Sequence, residues 1–115
     1  MVFAKRWFLL CVILAFYGFS YAQDEIAQEA NQYYNKGLKA QKEGDSKKAL
    51  VEYQTALLLG ENNAGLRKFI INNVGVVYAQ EGDLARAEEM FNEVLKMDQD
   101  YRPAQLNLGL LYDMQ

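Results

Sequence analysis

The sequence predicts an all-α protein built from antiparallel helix-turn-helix repeats, with two full repeats and the first helix of a third. Residues 31–59 can be laid over residues 69–97 without a gap, and Gly37, Gly75 and Gly109 take the same place in successive copies. Within each copy the apolar residues follow the spacing of one helix face, and a fixed repeat length indicates a stacked array. The predicted repeats cover about residues 30–63, 68–101 and 102–115, the last of them incomplete.

The first 22 residues differ from the rest of the chain. An apolar run follows the basic pair Lys5 and Arg6, and a small-x-small ending closes at Ala22, which together are typical of a secretory signal. A membrane span needs about 20 apolar residues, and this run is shorter. We therefore predict a signal peptide over residues 1–22 and a repeat domain over residues 23–115, with no stable membrane span once the signal is cleaved. Retention of the segment as an anchor is the alternative.

The signal also predicts where the protein acts. Cleavage after Ala22 implies an exported protein that is periplasmic, outer-membrane-associated or secreted, and the junction with Gln23 is of a bacterial type. The chain of 115 residues contains a single cysteine, Cys11, which lies within the predicted signal. The exported part would therefore hold no disulfide, and its fold would depend on packing alone.

Composition excludes several classes of function. Lys and Arg together number 12 and Asp and Glu 15, giving a formal net charge of −3, whereas nucleic-acid binding requires clustered positive charge. The chain has no histidine, and without an imidazole neither a hydroxyl–imidazole nor a thiol–imidazole pair can form. We predict that the protein is not an enzyme, that it uses no cofactor and no metal, and that it has no nucleic-acid partner.

Each full unit is predicted to contain two helices. In the second unit Ile71, Gly75 and Tyr78 share one helical face, and Gly82 can take the left-handed conformation that ends the first helix. Asp83 can then accept hydrogen bonds from the first N–H groups of the second helix. A Gly-Asp pair marks the same turn one unit earlier. The predicted linkers between units cover residues 60–65 and 98–102.

Small residues inside these helices predict close packing. Two antiparallel helices approach closely where one of them has almost no side chain, and a large ring fills the space beside it. Gly75 and Ala87 are the predicted points of close approach, and Tyr78 and Phe91 are the predicted fillers. A glycine in a helix costs about 1 kcal/mol relative to alanine, so its recurrence in all three units indicates a packing role.

The chain resembles the tetratricopeptide-repeat family, whose units are helix-turn-helix pairs of 34 residues with small and large residues at set positions. Gly75 and Gly109 lie 34 residues apart. The second unit carries the family's residue types at Gly75, Tyr78, Gly82, Ala87 and Phe91. Ile71 stands where the family usually has tryptophan. The resemblance implies a right-handed α-solenoid in which the first helices of successive units line a concave groove.

In this family the groove usually binds an extended peptide or a partner helix, so the resemblance implies a protein or peptide partner. The positions that would face the groove are Asn31, Tyr34, Asn35, Leu38 and Gln41 in the first unit, Phe69, Asn72, Asn73, Val76 and Gln80 in the second, and Leu106, Asn107 and Leu110 in the third. Asn35, Asn73 and Asn107 occupy one slot in all three units. Because an amide side chain both donates and accepts hydrogen bonds, these three could bind a peptide backbone as a ladder. The alternative is that they are only solvated.

The sequence leaves two functions open. The first is a non-enzymatic protein–protein interaction scaffold of the cell envelope or secreted space, whose groove binds a peptide segment or partner helix. The alternative is the N-terminal repeat module of a longer exported enzyme or sensor whose catalytic domain lies beyond residue 115. The last helix carries Leu106, Leu110 and Tyr112 with no following helix to cover them, and exposed apolar patches mark interaction sites. We expect either further residues after Gln115 or self-association through this helix.

Overall fold

The computed structural model describes residues 2–115, and within this range the chain forms α-helices and no strand. The helices are α1 (Val2–Lys42), α2 (Ser46–Leu59), α3 (Ala64–Gln80), α4 (Leu84–Met97) and α5 (Arg102–Met114). The C-terminal part of α1 pairs with α2, α3 pairs with α4, and α5 packs mainly on α4. This arrangement confirms the predicted all-α array of two helix-turn-helix units followed by the first helix of a third.

Glycine and aspartate form the turn inside each full unit, as predicted. Gly44 and Gly82 have φ angles of 79° and 83°, in the left-handed region that glycine enters without steric strain. The carboxylates of Asp45 and Asp83 accept hydrogen bonds from backbone N–H groups three residues later, at 3.1 Å and 3.2 Å. Such an N-cap stabilises a helix by about 0.5–2 kcal/mol, so each turn both ends one helix and starts the next.

The linker between the two full units is shorter than predicted. Helix α3 begins at Ala64, so Gly65 lies inside the helix and not in the loop. The side chain of Asn63 caps α3 by accepting a hydrogen bond from the N–H of Leu66 at 3.0 Å. Asparagine is among the strongest N-cap residues, and this cap fixes the residue at which the first helix of the second unit starts.

Rings packed on glycines hold each pair of helices together. Tyr53 of α2 lies against Gly37 of α1, and Phe91 of α4 lies against Gly75 of α3. A Cβ added to Gly75 would lie only 2.6 Å from Cε1 of Phe91, well inside the separation at which carbon atoms pack. Both rings and Ala87 are almost completely buried, and burying a phenyl ring contributes about 1.5–3 kcal/mol. The predicted close approach at Gly75 is therefore confirmed.

The N-terminal half of α1 makes little contact with the repeats. Its apolar side chains are exposed up to Ala22, and the helix continues through this residue without a break. Within residues 2–115, α1 is the one helix long and apolar enough to cross a membrane, with a mean hydropathy of 1.7 over an 18-residue window that is 0% buried. A signal sequence passes the same test. Cleavage after Ala22 therefore stays a prediction, and residue 1 of the predicted signal lies outside the described residues.

Candidate functional site: the concave groove

Helices α1, α3 and α5 lie side by side, and the face they share is the groove predicted above. Two hydrogen bonds join these helices. The amide of Asn73 on α3 donates to Oη of Tyr34 on α1 at 3.2 Å, and the amide of Asn107 on α5 donates to Oδ1 of Asn72 on α3 at 3.2 Å. A neutral hydrogen bond contributes about 0.5–1.5 kcal/mol, so these bonds help to fix the spacing of successive units along the groove.

The predicted groove residues differ in how far they reach solvent. Those that are exposed are Asn31, Asn35, Leu38, Phe69, Gln80, Leu106 and Leu110, and those that are partly buried are Tyr34, Gln41, Asn73, Val76 and Asn107. Asn72 is only 6% exposed, which corrects the prediction that it faces the groove. It lies beneath the surface, where its side chain positions Asn107. The helical spacing placed Asn72 beside Asn73, but only one of two adjacent helix residues can point fully into the groove.

Asn73 and Asn107 keep hydrogen-bonding capacity for a ligand. A carboxamide has two N–H donors and an oxygen acceptor, and each of these residues uses one N–H within the protein. Asn35 is exposed. The three amides are therefore not equivalent, because Asn73 and Asn107 are oriented by partners on the neighbouring helix. Their role in binding a peptide backbone stays a prediction.

A buried hydroxyl group lies next to the ring of Tyr34. Oη of Tyr53 donates a hydrogen bond to Oε1 of Gln41 at 2.6 Å, and the ring centroids of Tyr34 and Tyr53 are 6.1 Å apart. Burial, followed by the neighbouring hydroxyl of Tyr34, raises the pKa of Tyr53 from 10.0 to about 12. The Tyr53 hydroxyl is therefore neutral over the ordinary pH range, and the oxygen of Gln41 is already bonded within the protein.

A cluster of charged and aromatic residues lies near the start of α3. Of its members, only Phe69 was among the predicted groove residues. Nζ of Lys68 lies 2.8 Å from Oδ2 of Asp98 and 4.9 Å from the ring centroid of Tyr101. The ring of Tyr101 meets that of Phe69 edge on, with centroids 5.9 Å apart. The hydrogen bond from Lys68 lowers the pKa of Asp98, and burial raises the pKa of Tyr101. The cluster attaches the linker before α5 to α3 and holds Phe69 at the edge of the groove.

An apolar cleft opens in the groove between α3 and α5. Its volume is about 210 Å³. Predicted groove residues Val76, Gln80, Asn107 and Leu110 line it together with Ala79, Phe91, Leu111 and Met114, which were not predicted. Pockets for small molecules measure about 300–1,000 Å³. The cleft therefore matches one or two apolar side chains of a bound polypeptide better than it matches a cofactor.

The chemistry of the groove is apolar contact and neutral hydrogen bonding. None of the predicted groove residues carries a charge. Within residues 2–115, no group of three or more metal-ligating side chains lies close enough together to hold an ion. A ligand would therefore be selected by its shape and its hydrogen-bonding groups more than by its charge.

Comparison with known proteins gives matches of three kinds. The family model of the tetratricopeptide repeat matches residues 70–101. The chain is 34% identical over 87 residues to the photosystem I assembly protein Ycf3 of Synechococcus sp., which covers 76% of this chain and 50% of that protein. It is 34% identical over 89 residues to the protein of the same name from Rippkaea orientalis, covering 77% of this chain and 51% of that one. The chain thus spans about half the length of the curated relatives it matches.

A solved structure shows the same fold. The TPR domain of Arabidopsis OM64 superposes with a TM-score of 0.67, covering 77% of this chain and 70% of that one, at 20% sequence identity. At this identity the likeness concerns the fold and not the ligand. It supports the arrangement of paired helices with a shared groove.

The relatives overturn the predicted location. The expectation of an exported protein, whether periplasmic, outer-membrane-associated or secreted, is wrong, because the relatives are photosystem I assembly proteins and not exported or periplasmic ones. The expectation depended on the apolar N-terminal segment alone. Length and hydropathy do not distinguish a signal from other apolar helices near an N-terminus. The segment alone was therefore insufficient evidence that the protein is exported.

Proposed function

Because the chain belongs to the tetratricopeptide-repeat family, we propose that it is a non-catalytic protein-interaction scaffold whose groove binds a polypeptide segment of a partner. The observation that carries the proposal is the apolar cleft of about 210 Å³ between α3 and α5, flanked by the oriented amide of Asn107. An apolar side chain can fill the cleft while the amide bonds to the adjacent backbone, and this combination suits a polypeptide.

An extended segment fits the groove better than a partner helix. The oriented amides of Asn73 and Asn107 belong to successive units and each keeps a donor and an acceptor. Backbone N–H and C=O groups of an extended segment are free to bond with them, whereas those of a helix are bonded within the helix. A partner helix would leave the amides without a backbone partner and could use only the apolar residues.

The relatives suggest the kind of partner. They are photosystem I assembly proteins, 34% identical over 87 and 89 residues. We therefore propose that the segment belongs to a subunit of a multi-subunit complex, and that the scaffold holds it during assembly. Since the groove residues are neutral, we expect binding to depend little on ionic strength.

The test is an array of overlapping peptides tiled over the photosystem I subunits, probed with the full chain in mild detergent. Leu110, 52% exposed in the cleft, is changed to Glu, and Val51, 59% exposed on α2, is changed to Glu as the matched control. We expect Leu110→Glu to weaken peptide binding at least about tenfold, since it places a charge in an apolar cleft, and Val51→Glu to bind as the wild type does. The pair Asn73→Ala and Asn107→Ala should weaken it about fivefold or more.

Two results would count against the proposal in different ways. Equal peptide binding by Leu110→Glu and Val51→Glu would show that the groove is not the binding site. Failure of the wild-type chain to bind any peptide of the array would remove the photosystem subunits as partners. Circular dichroism of each variant confirms that the helices are retained.

A further inference from the structure

The groove has a second apolar contact point besides the cleft, at the start of α3. The ring of Phe69 is 45% exposed, and the ring of Tyr101 meets it edge on with centroids 5.9 Å apart. Nζ of Lys68 lies 4.9 Å from the centroid of Tyr101 and is bonded to Asp98. Packing therefore holds the ring of Phe69 in place while much of it faces solvent. We call Phe69 and Tyr101 the aromatic site.

The aromatic site and the cleft lie along one face of α3. Phe69 and Val76, the first cleft residue of α3, are seven positions apart. Seven residues make almost two full turns, so both side chains point in nearly the same direction, and they are separated by roughly 10 Å along the helix axis. A ligand that fills both places must present two side chains on one side at about this separation.

A polyproline-II segment has this spacing. It has three residues per turn and rises about 3.1 Å per residue, so every third side chain returns to the same side after roughly 9 Å. In a β-strand the side chains on one face are about 7 Å or about 13 Å apart. Residues 2–115 contain no strand with which a β-strand ligand could pair its backbone groups. The spacing therefore favours polyproline II.

The polar groups between the two contact points also suit such a segment. Asn73 and Asn107 each keep one N–H that is not used within the protein. A polyproline-II backbone makes no internal hydrogen bonds, and proline offers a carbonyl acceptor but no N–H. The two free N–H groups can therefore bond to carbonyl groups of the ligand. Aromatic side chains, such as those of the aromatic site, line the grooves in which proline-rich segments are bound.

We propose that the segment bound in the groove is a polyproline-II helix, with a proline packed on the aromatic site and an aliphatic side chain three residues away in the cleft between α3 and α5. This inference rests on the function proposed above, and it adds the conformation and residue types of the ligand. The proposal concerns spacing, and either chain direction satisfies it. Since Lys68 is already bonded to Asp98, the ligand needs no charged group at the aromatic site.

The probe is a fluorescein-labelled peptide, Gly-Ser-Pro-Ala-Pro-Leu-Pro-Ala-Pro-Ser-Gly, in which a proline lies three residues from the leucine on either side. Exchanging the leucine with the proline before it gives a control peptide of the same composition. In this control no proline lies three residues from the leucine, and one lies four residues away. Affinity for the full chain in mild detergent is measured by fluorescence polarisation. We expect the probe to bind at least about fivefold more tightly than the control, because only the probe can fill both contact points.

Two protein variants assign each part of the probe to its contact point. Replacing the first and last prolines of the probe by alanine should weaken binding to the wild type at least about threefold, but should not weaken binding to Phe69→Ala. Replacing the leucine by alanine should weaken binding to the wild type at least about fivefold, and by less to Leu110→Ala. Each variant should keep the discrimination that the other loses, which shows that the rest of the groove is intact. Leu58→Ala, at a residue 76% exposed on α2, is the control and should keep both.

The outcomes separate this inference from the proposed function. A control peptide that binds as tightly as the probe overturns the spacing. An equal loss on wild type and Phe69→Ala when the prolines are replaced overturns the aromatic site as the place where proline binds. A wild-type chain that binds peptides of the photosystem array but not the probe overturns the polyproline-II segment alone. If the array shows that the groove is not the binding site, both proposals fall.

Discussion

Gly75 and Gly109 occupy the same position on the same helix face in successive units, but their surroundings are opposite. Phe91 fills the space over Gly75, so that an added Cβ would lie 2.6 Å from the ring, whereas the space over Gly109 is open to beyond 4 Å. The local sequence is similar in both places. Whether this helix position is buried therefore depends on a second helix that packs over it, because the units of a repeat array are buried by their neighbours. The same substitution should therefore have opposite effects at the two sites.

Removal of the ring over Gly75 should have the largest effect. Phe91 is 1% exposed and packs with Ala87 and Leu111 in one cluster, so it joins α3, α4 and α5. We expect Phe91→Ala to lower the free energy of unfolding by about 3–5 kcal/mol, as for other buried aromatic residues. The measurement is urea unfolding followed by circular dichroism. Leu58→Ala, at a residue 76% exposed on α2, is the control and should change the free energy by less than about 0.5 kcal/mol.

A loss below about 1 kcal/mol for Phe91→Ala would contradict the comparison. It would mean that the pair formed by α3 and α4 does not depend on the ring, and that Gly75 and Gly109 differ less than their contacts indicate. The slope of the urea transition must match that of the wild type for the two free energies to be compared.

Alanine at the two glycines tests the comparison directly. Gly75→Ala places a methyl group against a rigid ring, and overpacking of this kind lowers the free energy of unfolding by about 1–3 kcal/mol. Gly109→Ala meets no neighbour and replaces a residue of low helix propensity, so it should raise the free energy by up to about 1 kcal/mol. Thermal and urea unfolding of both variants give the signs. Changes of the same sign at the two sites would contradict the proposed difference in packing.

Features that depend on local spacing could be predicted from the sequence. The turns at Gly44 and Gly82, their capping aspartates and the contact between Phe91 and Gly75 all follow from short-range chemistry and helix periodicity. Met114 lines the cleft one turn after Leu110, and that spacing would have identified it. These features repeat in each unit, and repetition made the signal strong.

Features that depend on contacts between units could not be predicted in this way. Lys68 and Asp98 are 30 residues apart, and no local pattern indicates that they meet. The burial of Asn72 depends on how α3 packs against its neighbours, which the spacing of residues along one helix does not specify. The location predicted from the apolar segment before Ala22 is wrong. The hydropathy of a segment indicates that it can enter an apolar environment, but it does not identify the compartment in which the protein acts.

The first unit differs from the second in using Tyr53 where the second uses Phe91, and this difference gives the smallest predicted effect. Tyr53→Phe removes the hydrogen bond to Gln41 and should lower the free energy of unfolding near neutral pH by about 0.5–1.5 kcal/mol. The folded pKa of Tyr53 is raised from 10.0 to about 12, so its contribution is fully present below pH 10 and decreases as the pH rises toward 12. The difference in unfolding free energy between the wild type and Tyr53→Phe should therefore become smaller as the pH rises. Urea unfolding of both proteins at about pH 8 and about pH 11 measures this change. A difference in unfolding free energy that stays constant between these pH values would show that the Tyr53 hydroxyl titrates equally in the folded and unfolded chain, and it would contradict the rise in pKa that burial gives this group.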